Sequence, residues 1–291
     1  MSYGSFTPTF TNGQYVKGNY ITPEGETRND FHIFTVQART RQRITPIVNR
    51  LERVALGNLN PNSSVASSAN VIAKINGNVF NYSGGPIGIN YEGANGNLYI
   101  GAYQFSSPPS SSTAYTNIKY SPSFCVKSNG DAVIRWFDSA QKLQVAMNAC
   151  DCIIAGAHAI VFNGKCTTDE NVYDNETDSK LIYNVAAPGN QNNTRWDTNI
   201  NLSSTANLMA PRTCLGHKAN SNGIYIMVCT DSSVSLHEMA NFMKLQNCDY
   251  AINLDGSSSV QMRIKDGYGA SGKVTSVSGV NLYAGVAAYL V

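Results

Sequence analysis

Charge is scarce in this chain: Asp, Glu, Lys and Arg make up only 14% of 291 residues, and 21 basic against 19 acidic residues leave it nearly neutral. So even a balance argues against bulk attraction to nucleic acid or to an anionic membrane. No apolar run approaches the roughly 20 residues a membrane-spanning helix needs. No basic segment followed by an apolar one opens the chain, so no signal peptide is expected. Cysteine is present without a pattern: seven residues, an odd number, and no C-x-x-C spacing. Cys150 and Cys152 stand too close to bridge each other, and Cys214, Cys229 and Cys248 fall in or beside apolar segments, so reduced, buried thiols are expected rather than a disulfide framework. Four histidines without H-E-x-x-H or Cys/His spacing argue against zinc. No cofactor is required, and a calcium site of Asp and Asn oxygens stays open, above all over residues 166–200. A fixed-period repeat is also missing.

What is abundant is Ser, Thr, Asn and Gly. A neutral polar surface of this kind suits an extracellular or virion protein that meets carbohydrate. Reduced cysteines without a leader fit a component made in reducing cytoplasm and released by lysis, such as a phage tail or baseplate protein, with other virion proteins or further copies of itself as partners.

The length fits one large domain with an appendage. Residues 1–30, rich in Gly, Thr and Asn, read as an extension or docking arm, with the main domain over 31–291. Phe31 to Ala38 reads as a strand. Thr45-Pro46 then offers an N-cap and an N1 proline to a helical stripe of Ile47, Val48, Leu51, Val54 and Ala55. Arg39, Arg41, Arg43, Arg50 and Arg53 around it read as a solvated face. Val71 to Ile75 is a buried strand, and Tyr99 to Phe105 another. Phe124 to Lys127, Asn129-Gly130 and Val133 to Phe137 spell a hairpin. Leu143 to Ile154 is ambiguous between helix and strand. Ala157 to Phe162 is a strand closed by Asn163-Gly164, and the polar residues 166–208 read as an insertion or lid.

Residues 211–259 are the most informative stretch. Ile224 to Cys229 is a short apolar run of strand type. Ser235, three residues before Glu238 and ahead of Leu236, Met239, Ala240 and Met243, is a capping box opening an amphipathic helix. Tyr250 to Leu254 is a second strand, followed by Asp255-Gly256-Ser257-Ser258-Ser259. Strand, helix and strand in this space predict a βαβ unit at about 224–255 with parallel strands, its binding edge at the strands' carboxyl ends. The fold expected is α+β, a mixed β-sheet core with few helices.

Pro211-Arg212-Thr213-Cys214-Leu215-Gly216, the helix after it and Asn253-Leu254-Asp255-Gly256-Ser257-Ser258-Ser259 together resemble the phosphodiester glycosidase family. That family carries a PRT-x-x-G segment and an NLDGGGSS-like loop. Ile75-Asn76-Gly77-Asn78-Val79-Phe80, the strand from Gly156 to Gly164 and the closing GVNLYAGVAAYLV resemble further family motifs, in order, over about residues 31–291. Ser257 and Ser258 stand where the family has glycines, and Val260 where it has serine. Serine takes a positive φ less cheaply than glycine, so a reshaped loop is expected.

The resemblance implies hydrolysis of a sugar–phosphate bond in a glycan or phosphoglycan. Such a site needs an anion pocket, a carboxylate near the anomeric carbon and hydrogen bonds to the sugar. Arg212 offers a fork of donors to phosphate, next to Thr213. Backbone N–H groups after Asp255, with Gly256 and the hydroxyls of Ser257, Ser258 and Ser259, suggest an anion-binding nest. Asp255 is the expected nucleophile or base, and Asn76 a sugar or water ligand. Asp231 is the second carboxylate. Glu238 is accounted for by the capping box and stays a secondary acid, with His237 beside it. His158 and His217 read as core or surface residues. The alternative is a non-catalytic carbohydrate-binding or structural virion module on the same fold.

Overall fold

A computed structural model describes residues 2–78, 80–81, 85–93, 96–116, 118, 121–167, 173–174, 179–180, 208–221 and 223–291. Three antiparallel sheets dominate it. The first runs β1 (Ser5–Asn12), β2 (Tyr15–Ile21), β3 (Thr27–Gln37), β19 (Ile224–Thr230), β18 (Thr213–Lys218), β20 (Cys248–Asn253), β14 (His158–Phe162) and β15 (Lys165–Cys166). The second runs β10 (Tyr103–Phe105), β9 (Leu98–Ile100), β8 (Ile89–Tyr91), β13 (Cys150–Ala155), β11 (Ser123–Lys127) and β12 (Ala132–Arg135). The third runs β22 (Gly272–Lys273), β21 (Met262–Ile264), β5 (Val71–Asn76), β23 (Ala284–Leu290) and β4 (Gln42–Val48). Short pairs β6 (Phe80–Asn81) with β7 (Gly85–Pro86), and β16 (Tyr173–Asp174) with β17 (Ser179–Lys180), stand apart. The described α-helices are α1 (Ala140–Ala149) and α2 (Leu236–Leu245).

Strand alternation explains why so many strands read as unbroken apolar runs. Phe124 and Val126 of β11 and Cys152 and Ile154 of β13 point into the core shared by all three sheets. Cys125 and Ile153, one residue out of phase, point to a second core with Phe137 and Leu143, where α1 packs. In β23, Val286 and Ala288 face the shared core while Ala287 and Tyr289 face a third cluster with Ile47 and Leu56. Buried on both faces, such strands lose the polar half of their period-two pattern. Helix α2 buries Leu236, Met239, Phe242 and Met243, and Phe31 meets Phe242 at a centroid distance of 4.4 Å.

Four expectations need correction. The expected βαβ unit has its strands and helix, but β19 and β20 do not pair with each other: β18 lies between them, antiparallel to both. The two strands therefore run in the same direction as next-nearest neighbours, and the sheet is antiparallel rather than mixed. The helix expected from Ile47 to Ala55 is absent: Gln42–Val48 pairs with β23 over seven residues, Leu51 is 81% exposed, and Val54 bridges Leu282. Pairing with the last strand outweighs a local N-cap pattern. Tyr99 to Phe105 is two strands folded back at Gly101, whose φ is 58°. Residues 1–30, read as an arm, supply β1, β2 and the start of β3, and Tyr20 is fully buried against Phe31 and Phe242.

Leu143 to Ile154 resolves into both alternatives, the end of α1 followed by β13. All seven cysteines are free thiols. Among the described residues no helix is long and apolar enough to cross a membrane, and no group of three or more His, Cys, Asp or Glu side chains is placed to hold a metal ion. The calcium site left open over 166–200 falls mostly outside the described residues, as does most of the insertion at 166–208.

Candidate functional site

The start of β18 is clamped from both sides, and this clamp builds the site. On one side, Thr230 N–H donates to the Arg212 carbonyl at 2.9 Å while Arg212 N–H donates to Thr230 Oγ1 at 2.9 Å. On the other, Leu254 N–H donates to Thr213 O at 2.8 Å and Ser257 N–H to Pro211 O at 2.9 Å. The 254–257 turn is thereby laid against residues 211–213. A Cβ at Gly256 would come 2.9 Å from Pro211 O and 3.7 Å from Arg212 Nη1, so this close approach needs glycine.

Arg212 and Asp255 meet here. Arg212 is 5% exposed, and its Nε donates to Val234 O at 3.2 Å while Nη2 donates to Leu208 O. Burial lowers its pKa against the opposing pull of Cys214 and Asp255. Burial also raises the Asp255 carboxyl above the ordinary range, opposed by hydrogen bonds from Ser259 and Gly256 N–H and by the charge of Arg212. The Gly256 bond measures 3.0 Å. At both groups desolvation outweighs the attraction of the opposite charge.

Asn76 is a positioning residue, not an open sugar ligand. It is fully buried; its Nδ2 donates to Asp255 O at 2.8 Å, and its Oδ1 accepts from Thr213 Oγ1 at 2.6 Å and Gln261 N–H at 3.0 Å. One amide thus ties β5, β18 and the Asp255 turn together, and Thr213 is spent within the same knot. Gly77 continues it, accepting from Asp255 N–H at 3.0 Å and donating to Ala284 O at 2.9 Å.

The expected nest is not formed by its own amides. Gly256 N–H turns to the Asp255 carboxylate, Ser257 N–H to Pro211, and Ser259 N–H to Gly256 O in a 3-10 turn. Ser259 is buried on Asp255, whereas Ser257 and Ser258 are exposed. Ser257 takes φ 55°, so the serine adopts, at a local cost, the left-handed backbone that glycine reaches cheaply.

Two carboxylates are placed elsewhere. Glu238 completes the capping box, accepting Ser235 N–H at 2.7 Å while Ser235 Oγ accepts Glu238 N–H at 3.1 Å. Its other oxygen takes Arg28 Nε at 2.9 Å. Helix start and ion pair together commit it to structure. His237 lies on the same turn, with Nε2 3.1 Å from Asn241 Nδ2. Asp231 does end β19 on the Asp255 edge, two strands away, or about 10 Å by sheet spacing. Its Oδ2 is 3.0 Å from His32 Nε2 and its Oδ1 accepts Ser276 N–H at 2.8 Å. Burial would raise its pKa, but the His32 hydrogen bond and charge and the Ser276 bonds prevail, leaving it lowered. His32 Nδ1 in turn lies 2.7 Å from the Tyr15 hydroxyl, a buried chain of three residues.

His158, set aside in the sequence, belongs to the site. It is 4% exposed, its Nδ1 lies 3.5 Å from Asn253 Nδ2, and burial together with the charge of Arg212 pulls its pKa down to about 3. A neutral imidazole follows at ordinary pH. Its signal was the Gly156–Gly164 motif rather than the histidine itself. His217 is held 2.8 Å from Asp249 at the opposite end of β18.

Arg212, Asp255, Asn76 and Thr213 thus gather where an edge of the first sheet meets β5 of the third. The comparisons give the family. A family model described as phosphodiester glycosidase matches residues 69–281, and the chain belongs to that family. Its fold is similar to that of the zebrafish N-acetylglucosamine-1-phosphodiester alpha-N-acetylglucosaminidase catalytic domain, auto-inhibited by its pro-peptide. That match has a TM-score of 0.60 at 15% identity, over 98% of this chain and 87% of that one. A hypothetical protein from Synechocystis matches with a TM-score of 0.52 at 12% identity, over 99% of this chain and 64% of that one. No curated protein sequence matches the chain.

Proposed function

We propose that this protein hydrolyses sugar-1-phosphodiester linkages in cell-surface or cell-wall glycopolymers, acting outside the cell that makes it. Arg212 holds the phosphate, and Asp255 acts at the anomeric carbon or on water. In the second case Asp255 accepts a proton from water, the water oxygen bonds to the anomeric carbon, and the bond from that carbon to the phosphate oxygen breaks. The phosphomonoester departs with the bonding electrons. Phosphate is a good leaving group, so a strong general acid is not needed, in keeping with Glu238 and Asp231 being engaged elsewhere.

The observation that carries this reading is the mutual electrostatic influence of Arg212 and Asp255 across the Gly256 turn. The family supports the reaction class. The test is release of reducing sugar from a set of synthetic sugar-1-phosphodiesters. The reading expects turnover that falls to background in Asp255→Ala; turnover equal in wild type and variant would refute it.

A further inference from the structure

The third sheet carries a second concentration of positive charge that the site above does not use. Arg263 of β21 stands directly opposite Lys74 of β5 on one side and Lys273 of β22 on the other. Directly opposed residues in an antiparallel sheet project from the same face, so three cations form one row across three strands. Lys265, two residues beyond Arg263, shares that face. Like charges directly opposite each other destabilise a sheet. Among the described residues no carboxylate lies within ion-pairing distance of any of the four.

The row borders a cleft of about 530 Å³, whose lining includes Lys74, Arg263, Lys265, Gly57, Asn60 and Gly272 and no acidic residue. Lys74 forms its floor. It is buried, its Nζ donates to Gly57 O at 3.1 Å, to Asn60 Oδ1 at 3.0 Å and to Leu59 O, which uses all three of its N–H bonds, so it offers the cleft charge and no free donor; burial with the charge of Arg263 lowers its pKa to about 8. Arg263 is exposed at the mouth, its guanidinium alongside Gly57. A guanidinium fork at the rim, with the Lys265 ammonium beside it and the Lys74 charge beneath, suits the paired oxygens of a phosphodiester anion.

Lys265 Nζ donates to Ala69 O and Lys273 Nζ to Val277 O, which leaves each ammonium further donors. We infer that the cleft lined by Lys74, Arg263 and Lys265, with Lys273 next along the row, is a second anion site, which takes a phosphate group of a polyanionic glycan chain. Lys74 stands two residues before Asn76, whose amide carries the Asp255 turn, or about 7 Å along the strand. A polymer engaged at Asp255 therefore has a neighbouring phosphate within reach. The anion site stands on its own geometry; only the polymer's role as substrate rests on the function proposed above.

The experiment measures the affinity of a short fluorescent poly(glycerol phosphate) by anisotropy at fixed salt. Arg263→Gln with Lys273→Gln is expected to weaken binding about tenfold, the loss of charge-assisted contacts. Lys127→Gln with Lys218→Gln removes equal charge from the other two sheets and should stay within about twofold of wild type. Asp255→Asn should leave binding intact, and turnover of a monomeric sugar-1-phosphodiester should survive in the Arg263/Lys273 variant. Equal loss in both double variants, no binding by wild type, or duplex DNA of matched charge binding as tightly would overturn the inference. Intact polymer binding without turnover of any monomeric diester would instead count against the proposed hydrolysis and leave this site standing.

Discussion

Ser257 shows how a sequence difference is absorbed at one residue. Its φ of 55° is costly for any side chain with a Cβ, by about 1 kcal/mol, while glycine there adds unfolded-chain entropy worth slightly less. Ser257→Gly is therefore expected to raise stability slightly, by under about 1 kcal/mol in denaturant titration, and to leave the Asp255 turn intact. A loss larger than that would assign the exposed hydroxyl a contact that the structure does not give it. Asp231 makes a separate prediction through its lowered pKa. Its folded-state partners stabilise the charged form, so its contribution is present above the ordinary carboxylate pKa of about 3.9 and fades as pH falls through the lower folded value. Asp231→Asn should thus be destabilised at neutral pH and converge on wild type as the pH falls through the lowered folded-state pKa. A stability gap independent of pH would mean that packing, not charge, accounts for its cost.

Among the elements, α2 was the most legible because its signals are local. Ser235 and Glu238 lie three residues apart, and both reciprocal bonds of the capping box form as the spacing requires. Ser235→Ala should cost about 1 kcal/mol, seen as a lowered thermal midpoint with turnover kept; no change would mean that the Arg28–Glu238 pair alone secures the helix start. The helix expected over 47–55 failed for the opposite reason. Thr45-Pro46 is a genuine local start signal, but the partner that overrides it, β23, lies more than two hundred residues away. The strands of the expected βαβ unit were visible in their apolar runs, yet nothing local announces that β18, which precedes both, returns between them. Asn76-Gly77 looked like a turn with a polar ligand, and its actual task, joining three chain segments, is a property of those segments together.

At the scale of the whole molecule, the site is assembled from residues 76–77, 158, 211–213 and 253–259, and no two of these groups are neighbours in sequence. The family motifs fall on these groups because each motif marks a strand end, and the first and third sheets bring those ends to one place. What the motifs left open was which side chains remain for chemistry once the backbone has been secured. Asn76, Thr213 and Glu238 are consumed by the fold, while Arg212 and Asp255 lie within electrostatic reach of each other beside the Gly256 turn, with burial and Arg212 pulling the His158 pKa down. The amino-terminal strands take part in this assembly too: Tyr15 of β2 lies against His32, which holds Asp231 on the same edge, so residues 1–30 are expected to contribute to the stability of the site rather than to docking alone.

The most direct measurement is a double-mutant cycle in single-turnover release of sugar from a sugar-1-phosphodiester, comparing wild type, Arg212→Ala, Asp255→Asn and the double variant. If both groups act on one diester, each single variant loses about 10²-fold or more, and the double variant loses far less than the product of the two. A wild-type rate in Asp255→Asn, or strictly multiplicative losses from two groups working independently, would contradict the account.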